Sequence, residues 1–408
     1  MMRAPWFVVT AAITALPLAA HSQQPPIGAA PTVLQAEPYV FDTAEQHGIS
    51  VTVLAKGLER PFAMEVLRNG DLLVSVRGGA LVLIRGATGP APAAPIEVAG
   101  MPTLTPSHSN TGLHDITVHP DFAANGLVYW TWNIPIPNPA GAAERPEQGR
   151  IAVMRGRLSN GRMSEVVTLY EAQEVGYPGG SRVAIGADGM IWITTGAPFG
   201  DDAQNLASPY GKVLRLNADG SIPEDNPFVG RAGANPAIYS YGHRDQHALA
   251  IHPETGAVFS GEHGPNGGDE VNLIQPGGNY GWPVHSYGRN YDGTAFPNPA
   301  QASGVVDPVL VWLPSIAVSG LMFYAGDAFP AWQDNLFIGS GVRGGIPGTG
   351  GLERVVLGEN EGGVRRETLL TELHQRVRDI AQGPDGLIYV LTDGPEHAVL
   401  RLAPARLP

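Results

Sequence analysis

Short apolar stretches recur along the whole chain. Each is entered through an Asn-Gly, Asp-Gly or similar turn and followed, after a polar gap, by a second stretch carrying basic or polar residues. The first copy is Asn69-Gly70-Asp71 with LLVSVRGGALVLIRG, and the second is Asn125-Gly126 with LVYWTWN and RIAVMRGRL. Asp188-Gly189 leads into MIWITTG and GKVLRLN, and Glu254-Thr255-Gly256 into AVFSGEHG and DEVNLI. Asp334-Asn335 leads into LFIGSG and LERVVL, and Asp385-Gly386 into LIYVLTD and AVLRLA. Turns of this kind between alternating apolar runs mark strands.

Successive turn anchors lie between 51 residues (Asn335 to Gly386) and 79 residues (Gly256 to Asn335) apart. Each unit can therefore hold a four-stranded sheet with variable loops. Radial repetition of such sheets leaves few exposed edges. The fold expected is all-β: a six-bladed β-propeller of four-stranded antiparallel blades, with a pair of β-sandwiches as the alternative. Gly and Pro interrupt nearly every window that could show a helical period.

Composition adds boundaries. Of 408 residues, 43% are hydrophobic, enough for a large core, and the 53 Gly and 37 Pro are scattered as turns would scatter them. A net charge of −13 argues against nucleic acid as a partner, because phosphate binding needs clustered Lys and Arg. Residues 1–22 read as a secretory signal, with Arg3 before the apolar run Trp6 to Ala20 and a small-x-small site at Ala20-His21-Ser22. A retained N-terminal anchor is the alternative. No later run is apolar for long enough to span a membrane. Export to a bacterial periplasm fits, with no cysteine available for disulfides. Residues 23–50 are expected as a poorly ordered lead-in and 51–408 as a single propeller domain.

Tyr239 to Thr294 stands apart. It gathers two arginines, five histidines, acidic residues and two glycine-rich turns in a region of low hydrophobicity. Loops of that kind held by a rigid scaffold are where binding and catalysis concentrate.

Seven motifs, taken in order, resemble one known family. They are GLERPFAM (57–64), GLHDITVHPDF (112–122), GKVLRLNADGSIPEDNPF (211–228), SYGHRDQ (240–246), EHGPNGGDEVNLIQPGGNYGWP (262–283), FPAWQDNLFIG (329–339) and QRVRDIAQGPDGLIYVLTD (375–393). Over roughly residues 50–403 the chain resembles the soluble, periplasmic aldose sugar dehydrogenases that depend on pyrroloquinoline quinone (PQQ), relatives of soluble glucose dehydrogenase. The resemblance implies a six-bladed propeller with PQQ in a pocket on one face and calcium polarising it. It also implies oxidation of an aldose at the anomeric carbon to the lactone, electrons passing to a further acceptor. A monomer or homodimer is expected.

The same resemblance implies site residues. Arg244, Asp245, Tyr291, Arg376, Arg378 and Asn110 fall at cofactor-binding positions. Glu270 and the Tyr280 carbonyl would hold a structural calcium, and the Gly264 and Pro265 carbonyls would face the cofactor calcium. A guanidinium suits PQQ carboxylates because it donates paired hydrogen bonds, and hard oxygen ligands suit calcium. Arg376 and Arg378 alternate on an expected strand and so share a face.

Departures from the family pattern are concentrated at the chemistry. Pro178 stands four residues before Arg182, where the family has its general-base histidine, and proline accepts no proton. The family glutamine appears as Asn110, its R-N-P-Q-G segment as Arg244-Asp245-Gln246-His247-Ala248, and its lysine near Val342. His114 and His247 are histidines in those pocket segments, and either could replace the missing base. The alternatives are a non-catalytic, calcium-stabilised propeller that binds a sugar or a protein, and a lactone hydrolase using metal-bound water.

Overall fold

The computed structural model describes residues 27–103, 111–136, 148–177, 179–358 and 362–406. It is a six-bladed β-propeller of antiparallel sheets. Blade 1 consists of Pro61–Val66, Leu72–Val76, Leu81–Ile84 and Ile96–Glu97. Blade 2 holds Gly112–Val118, Leu127–Ile136, Gln148–Ser159 and Arg162–Glu171. Blade 3 holds Val183–Ile185, Ile191–Thr195, Lys212–Leu216 and Ile238–Tyr241. Blade 4 holds Asp245–Ile251, Val258–His263, Asp269–Leu273 and Leu310–Trp312, and blade 5 Val318–Phe323, Leu336–Ser340, Gly351–Leu357 and Gly363–Leu369.

Blade 6 closes the ring with both ends of the chain. Val377–Gln382, Ile388–Asp393 and His397–Pro404 come from the C-terminal end, and Ile49–Lys56 pairs antiparallel with the last of them, Ile49 opposite Pro404. Tyr39–Phe41 adds a fifth strand. Part of the expected lead-in is thus built into the fold. Leu34 is buried against Ile49, Phe329 and Trp332, and the Ala29 amide donates to the Pro347 carbonyl at 3.1 Å. A domain boundary at 51 would cut a paired strand. The reason lies in ring closure, because a radial fold must pair its first and last blades to remove the edge between them.

The strands nearest the axis are the first of each blade, and the second strands of blades 1, 3 and 5 are buried along their whole length. LLVSV (72–76), IWITT (191–195) and LFIGS (336–340) carry no exposed residue. Neighbouring blades cover both faces of each sheet, so these strands need not alternate. The Phe62–Trp130–Met163 cluster between blades 1 and 2, and the Phe259–Val318–Ile338 cluster between blades 4 and 5, are such inter-blade seams. Among the described residues helix is confined to Phe122–Asn125 and two 3-10 turns, and no helix is long and apolar enough to cross a membrane.

Candidate functional site

The axis is sealed on one level by charge. Arg182, just before the inner strand of blade 3, donates to Asp115 of blade 2 at 3.1 Å and to Asp379 of blade 6 at 3.0 Å. Asp379 also accepts the Met64 amide of blade 1 at 2.8 Å, and Asp115 the Val183 amide at 2.7 Å. Four blades are tied by one arginine and two carboxylates. Glu65, half-buried beside them, has its carboxyl raised to about 8 by burial and by the charges of Asp115 and Asp379.

Next to this level lies the Tyr239–Thr294 region. Asp245, where the inner strand of blade 4 begins, is register partner to His263 on the neighbouring strand. Its Oδ1 accepts the Gly180 amide at 2.7 Å and lies 3.2 Å from His247 Nε2, and its Oδ2 lies 4.0 Å from His263 Nδ1. The imidazoles of His247 and His263 stack at 4.3 Å. His263 Nε2 donates to the Val318 carbonyl of blade 5 at 2.7 Å, which leaves Nδ1 bearing the lone pair. Burial pushes His247 down to about 3 against the pull of Asp245. Although burial opposes it, His247, His263 and Arg244 hold the Asp245 carboxyl well below the usual carboxylate range.

Arg244 is buried beneath this trio. Its Nη1 donates to the His263 and Gly264 carbonyls at 2.8 and 2.9 Å, and its Nη2 to the Tyr291 hydroxyl at 2.9 Å. The guanidinium lies over the Trp282 ring, 5.0 Å from its centroid, and Nε has no partner. Tyr291 is 67% exposed and forms the outer wall.

Arg376 and Arg378 do share a face, and both converge on Asp393. Arg376 Nε reaches its Oδ1 at 3.2 Å and Arg378 Nε its Oδ2 at 2.6 Å. The partner is Asp393 on the adjacent strand; Asp379, next in sequence, is committed to Arg182. Phe62 is ringed by guanidinium groups, with Arg77 at 4.9 Å, Arg182 at 4.8 Å and Arg378 at 5.7 Å from its centroid. Burial first, then Arg378, lowers Arg77 to about 9. Four guanidinium groups (Arg77, Arg182, Arg376 and Arg378) stand against three carboxylates (Asp115, Asp379 and Asp393) here, a surplus of one positive charge that suits an anion.

Glu270 sits directly opposite Glu262 on neighbouring strands of blade 4. Glu262 accepts His243 Nδ1 at 2.9 Å and the Arg244 amide at 3.2 Å. Glu270 has only a long contact from Asn272 at 3.4 Å, and burial followed by the Glu262 charge raises its carboxyl well above the ordinary value. A cavity of about 10 Å³ between Glu262, Glu270, Tyr280 and Ser286 is large enough for one ion or water.

Residues 58–401 match the family described as Glucose / Sorbosone dehydrogenase. The chain belongs to this glucose/sorbosone dehydrogenase family. An aldose sugar dehydrogenase of Escherichia coli, YliI, is 34% identical, with 87% of this chain and 93% of that protein covered. The crystal structure of the soluble E. coli aldose sugar dehydrogenase in its apo form superposes with a TM-score of 0.77 at 32% identity, covering 88% of this chain and 100% of that one. The PQQ-bound aldose sugar dehydrogenase of Streptomyces coelicolor gives a TM-score of 0.65 at 26% identity, covering 92% and 99%.

The residues expected at the site are placed as follows. Arg244, Tyr291, Asp245 and His247 are brought together on blade 4, with Arg376 and Arg378 on blade 6, beyond blade 5. The Gly264 carbonyl, expected to face a calcium, instead accepts from Arg244, while Pro265 borders an open groove of about 600 Å³ with Tyr287, Leu313 and Ser315. Glu270 and Tyr280 line one cavity. Asn110 and Pro178 lie outside the described residues.

Two expectations about the base need correction. His114 is fully buried, stacked on Phe62 at 4.4 Å with Nδ1 at 3.1 Å from Ser181, and burial holds its imidazole well below its ordinary value. It has no route to a substrate. His247 is 4% exposed and turned toward Asp245, with Nδ1 against Gly180, where an added Cβ would come within 2.8 Å. Asp245, expected at the cofactor, is turned inward to Gly180 and His247 because its carboxylate needs those donors once buried. Glu262, Arg77 and Asp393 were not singled out in the sequence, where His263 reads as an ordinary satisfied loop or core histidine; its place beside Asp245 comes from strand pairing.

Proposed function

We propose that the chain oxidises an aldose at its anomeric carbon to the lactone, using PQQ and calcium, after export to the periplasm. The observation that carries this reading is the arginine excess around Phe62 and Asp393, set on the same face as Arg244 and Tyr291. An anionic quinone fits such a face, and Arg376, the most open of these groups with a side chain 41% exposed, would hold one of its carboxylates. The unpaired Glu270 beside Glu262 fits a hard cation. When bound, PQQ supplies two-electron acceptance, and the protein supplies orientation and charge.

With His114 closed off and His247 turned inward, acceptance of the sugar proton falls to His263. Its side chain is 24% exposed, its Nε2–H is fixed on Val318, and its Nδ1 faces the Asp245 carboxylate, which stabilises the imidazolium formed. The groove of about 600 Å³ beside Pro265 offers room for a sugar.

The test is titration of the calcium-loaded protein with PQQ, followed by its absorbance, then addition of aldoses. Binding with quinone reduction supports the reading; absence of binding overturns it. Pro178 at the family's base position and the burial of His114 favour a second reading, a ligand-binding propeller without turnover. Quinone binding with no reduction by any aldose would select it.

A further inference from the structure

Asp245, His247 and His263 form a cluster whose ligand atoms all lie within 4.8 Å of one another. We propose that this trio is a binding site for a divalent transition metal such as Zn²⁺, held by two imidazoles and one carboxylate and distinct from the oxygen-lined calcium cavity at Glu270. Strand geometry puts the three on one side. His263 is the register partner of Asp245, and His247 is the extra residue of a bulge between Gln246 and Ala248, which turns its Nε2 to within 3.2 Å of Asp245 Oδ1.

The tautomers favour it. The Val318 carbonyl takes the His263 Nε2 proton at 2.7 Å, so Nδ1 points its lone pair toward Asp245 Oδ2, 4.0 Å away. Two acceptors therefore face each other with no proton between them. A backbone carbonyl on the far nitrogen is the usual outer partner of a metal-bound histidine. On the other side His247 Nε2 lies 3.2 Å from Asp245 Oδ1, close to the spacing of about 3.3 Å between ligand atoms around a tetrahedral zinc. Ligation there shifts the proton to Nδ1, which is buried without a partner, so only the contact to Asp245 is exchanged. Closing the His263 side brings Nδ1 about 0.7 Å nearer Asp245 Oδ2 and turns this partly exposed ring out of its stack on His247, so that both lone pairs meet at one ion.

The donor set selects the metal class. Imidazoles favour zinc and its first-row neighbours, whereas calcium and magnesium take oxygen. Arg244 and Arg378 lie within electrostatic reach and oppose the cation, and the Asp245 charge offsets them in part. Asp245 and His247 are both positions where this chain departs from the family's R-N-P-Q-G segment. A metal here would take the His263 lone pair, so occupancy would block sugar oxidation; that consequence alone rests on the proposed activity.

The experiment uses the full chain saturated with Ca²⁺, titrated with Zn²⁺ by calorimetry and with Co²⁺ by visible absorption, with neither quinone nor sugar present. One equivalent and a Co²⁺ spectrum of imidazole and carboxylate ligation are expected. Asp245→Asn and His263→Ala should each weaken binding by more than the about 10–100-fold that loss of an outer partner costs. Absence of saturable binding, or binding unchanged in both variants, overturns the proposal. His247→Ala is a third probe; if that buried position does not tolerate it, the other two variants decide. Failure here leaves the quinone titration untouched, and the reverse holds as well.

Discussion

Glu262 and Glu270 stand opposite each other across one strand pair of blade 4, both buried, and among the described residues Glu262 alone of the two is hydrogen-bonded to an imidazole, His243 Nδ1 at 2.9 Å. Like charges opposed on a sheet destabilise it, so the pair calls for a cation. A chelator should lower the melting temperature of the calcium-loaded protein. A ligand at about 100 times its Kd contributes about 2.7 kcal/mol. Glu270→Gln removes one charge of the pair and keeps its shape. In that variant the chelator should shift the melting temperature little, and the chelated form should melt above chelated wild type. A chelator effect of equal size in both proteins would place the calcium elsewhere.

Glu65 gives a pH dependence with a defined sign. Burial and the Asp115 and Asp379 charges raise its folded value to about 8 from an ordinary 4.5. The folded state holds the proton more tightly, so this contribution is fully present below about 4.5 and is lost as pH rises through about 8. Glu65→Gln should therefore gain stability on wild type across that window, on the order of 1–2 kcal/mol after allowing for water at a half-buried group. Urea unfolding at pH 5 and pH 8.5 measures it. An equal difference at both values would rule out titration of Glu65.

Much of the ring was legible from the sequence, and the reason is local. Each Asn-Gly or Asp-Gly turn and the strand after it are specified by neighbouring residues, and all six anchors precede a middle strand of the sheet that carries them. Closure was not legible. Ile49–Lys56 pairs with residues near 400, and nothing in the lead-in announces a partner so distant. The site divides the same way. Arg376 and Arg378 were placed on one face by strand alternation, but Asp393 and Arg77 reach them only through neighbouring strands and blades. His114 was expected at the pocket because its segment resembles a pocket segment of the family, yet Phe62, far off in sequence, covers it.

Lys212 is fully buried, and its ammonium donates to the carbonyls of Asp202 at 2.7 Å, Ala203 at 3.1 Å and Tyr210 at 2.5 Å. Burial pushes it down to about 7, with the Asp202 charge opposing. The three acceptors match the three donors of a charged ammonium, so the lysine pins the loop before its own strand. Lys212→Met keeps the stem and strands three carbonyls, which should cost about 2–4 kcal/mol. Chemical denaturation reads this directly. A loss under 0.5 kcal/mol would mean that water replaces the ammonium.

Arg376 and Arg378 share Asp393 but differ in exposure, with side chains 41% and 10% exposed. That difference separates binding from stability. Arg376→Ala leaves Asp393 paired to Arg378 and removes only a partly solvated group, so stability should change by about 0.5 kcal/mol or less. If Arg376 holds a quinone carboxylate, the variant loses a charge-assisted hydrogen bond worth about 1.5–3 kcal/mol, which is about 10–150-fold in PQQ affinity. Arg378→Ala instead removes the buried partner of Asp393 and should lower stability by about 2 kcal/mol or more. Fluorescence titration with PQQ beside thermal melts distinguishes the two. Unchanged quinone affinity in Arg376→Ala would move the anion site inward, to Arg77 and Arg378 around Phe62.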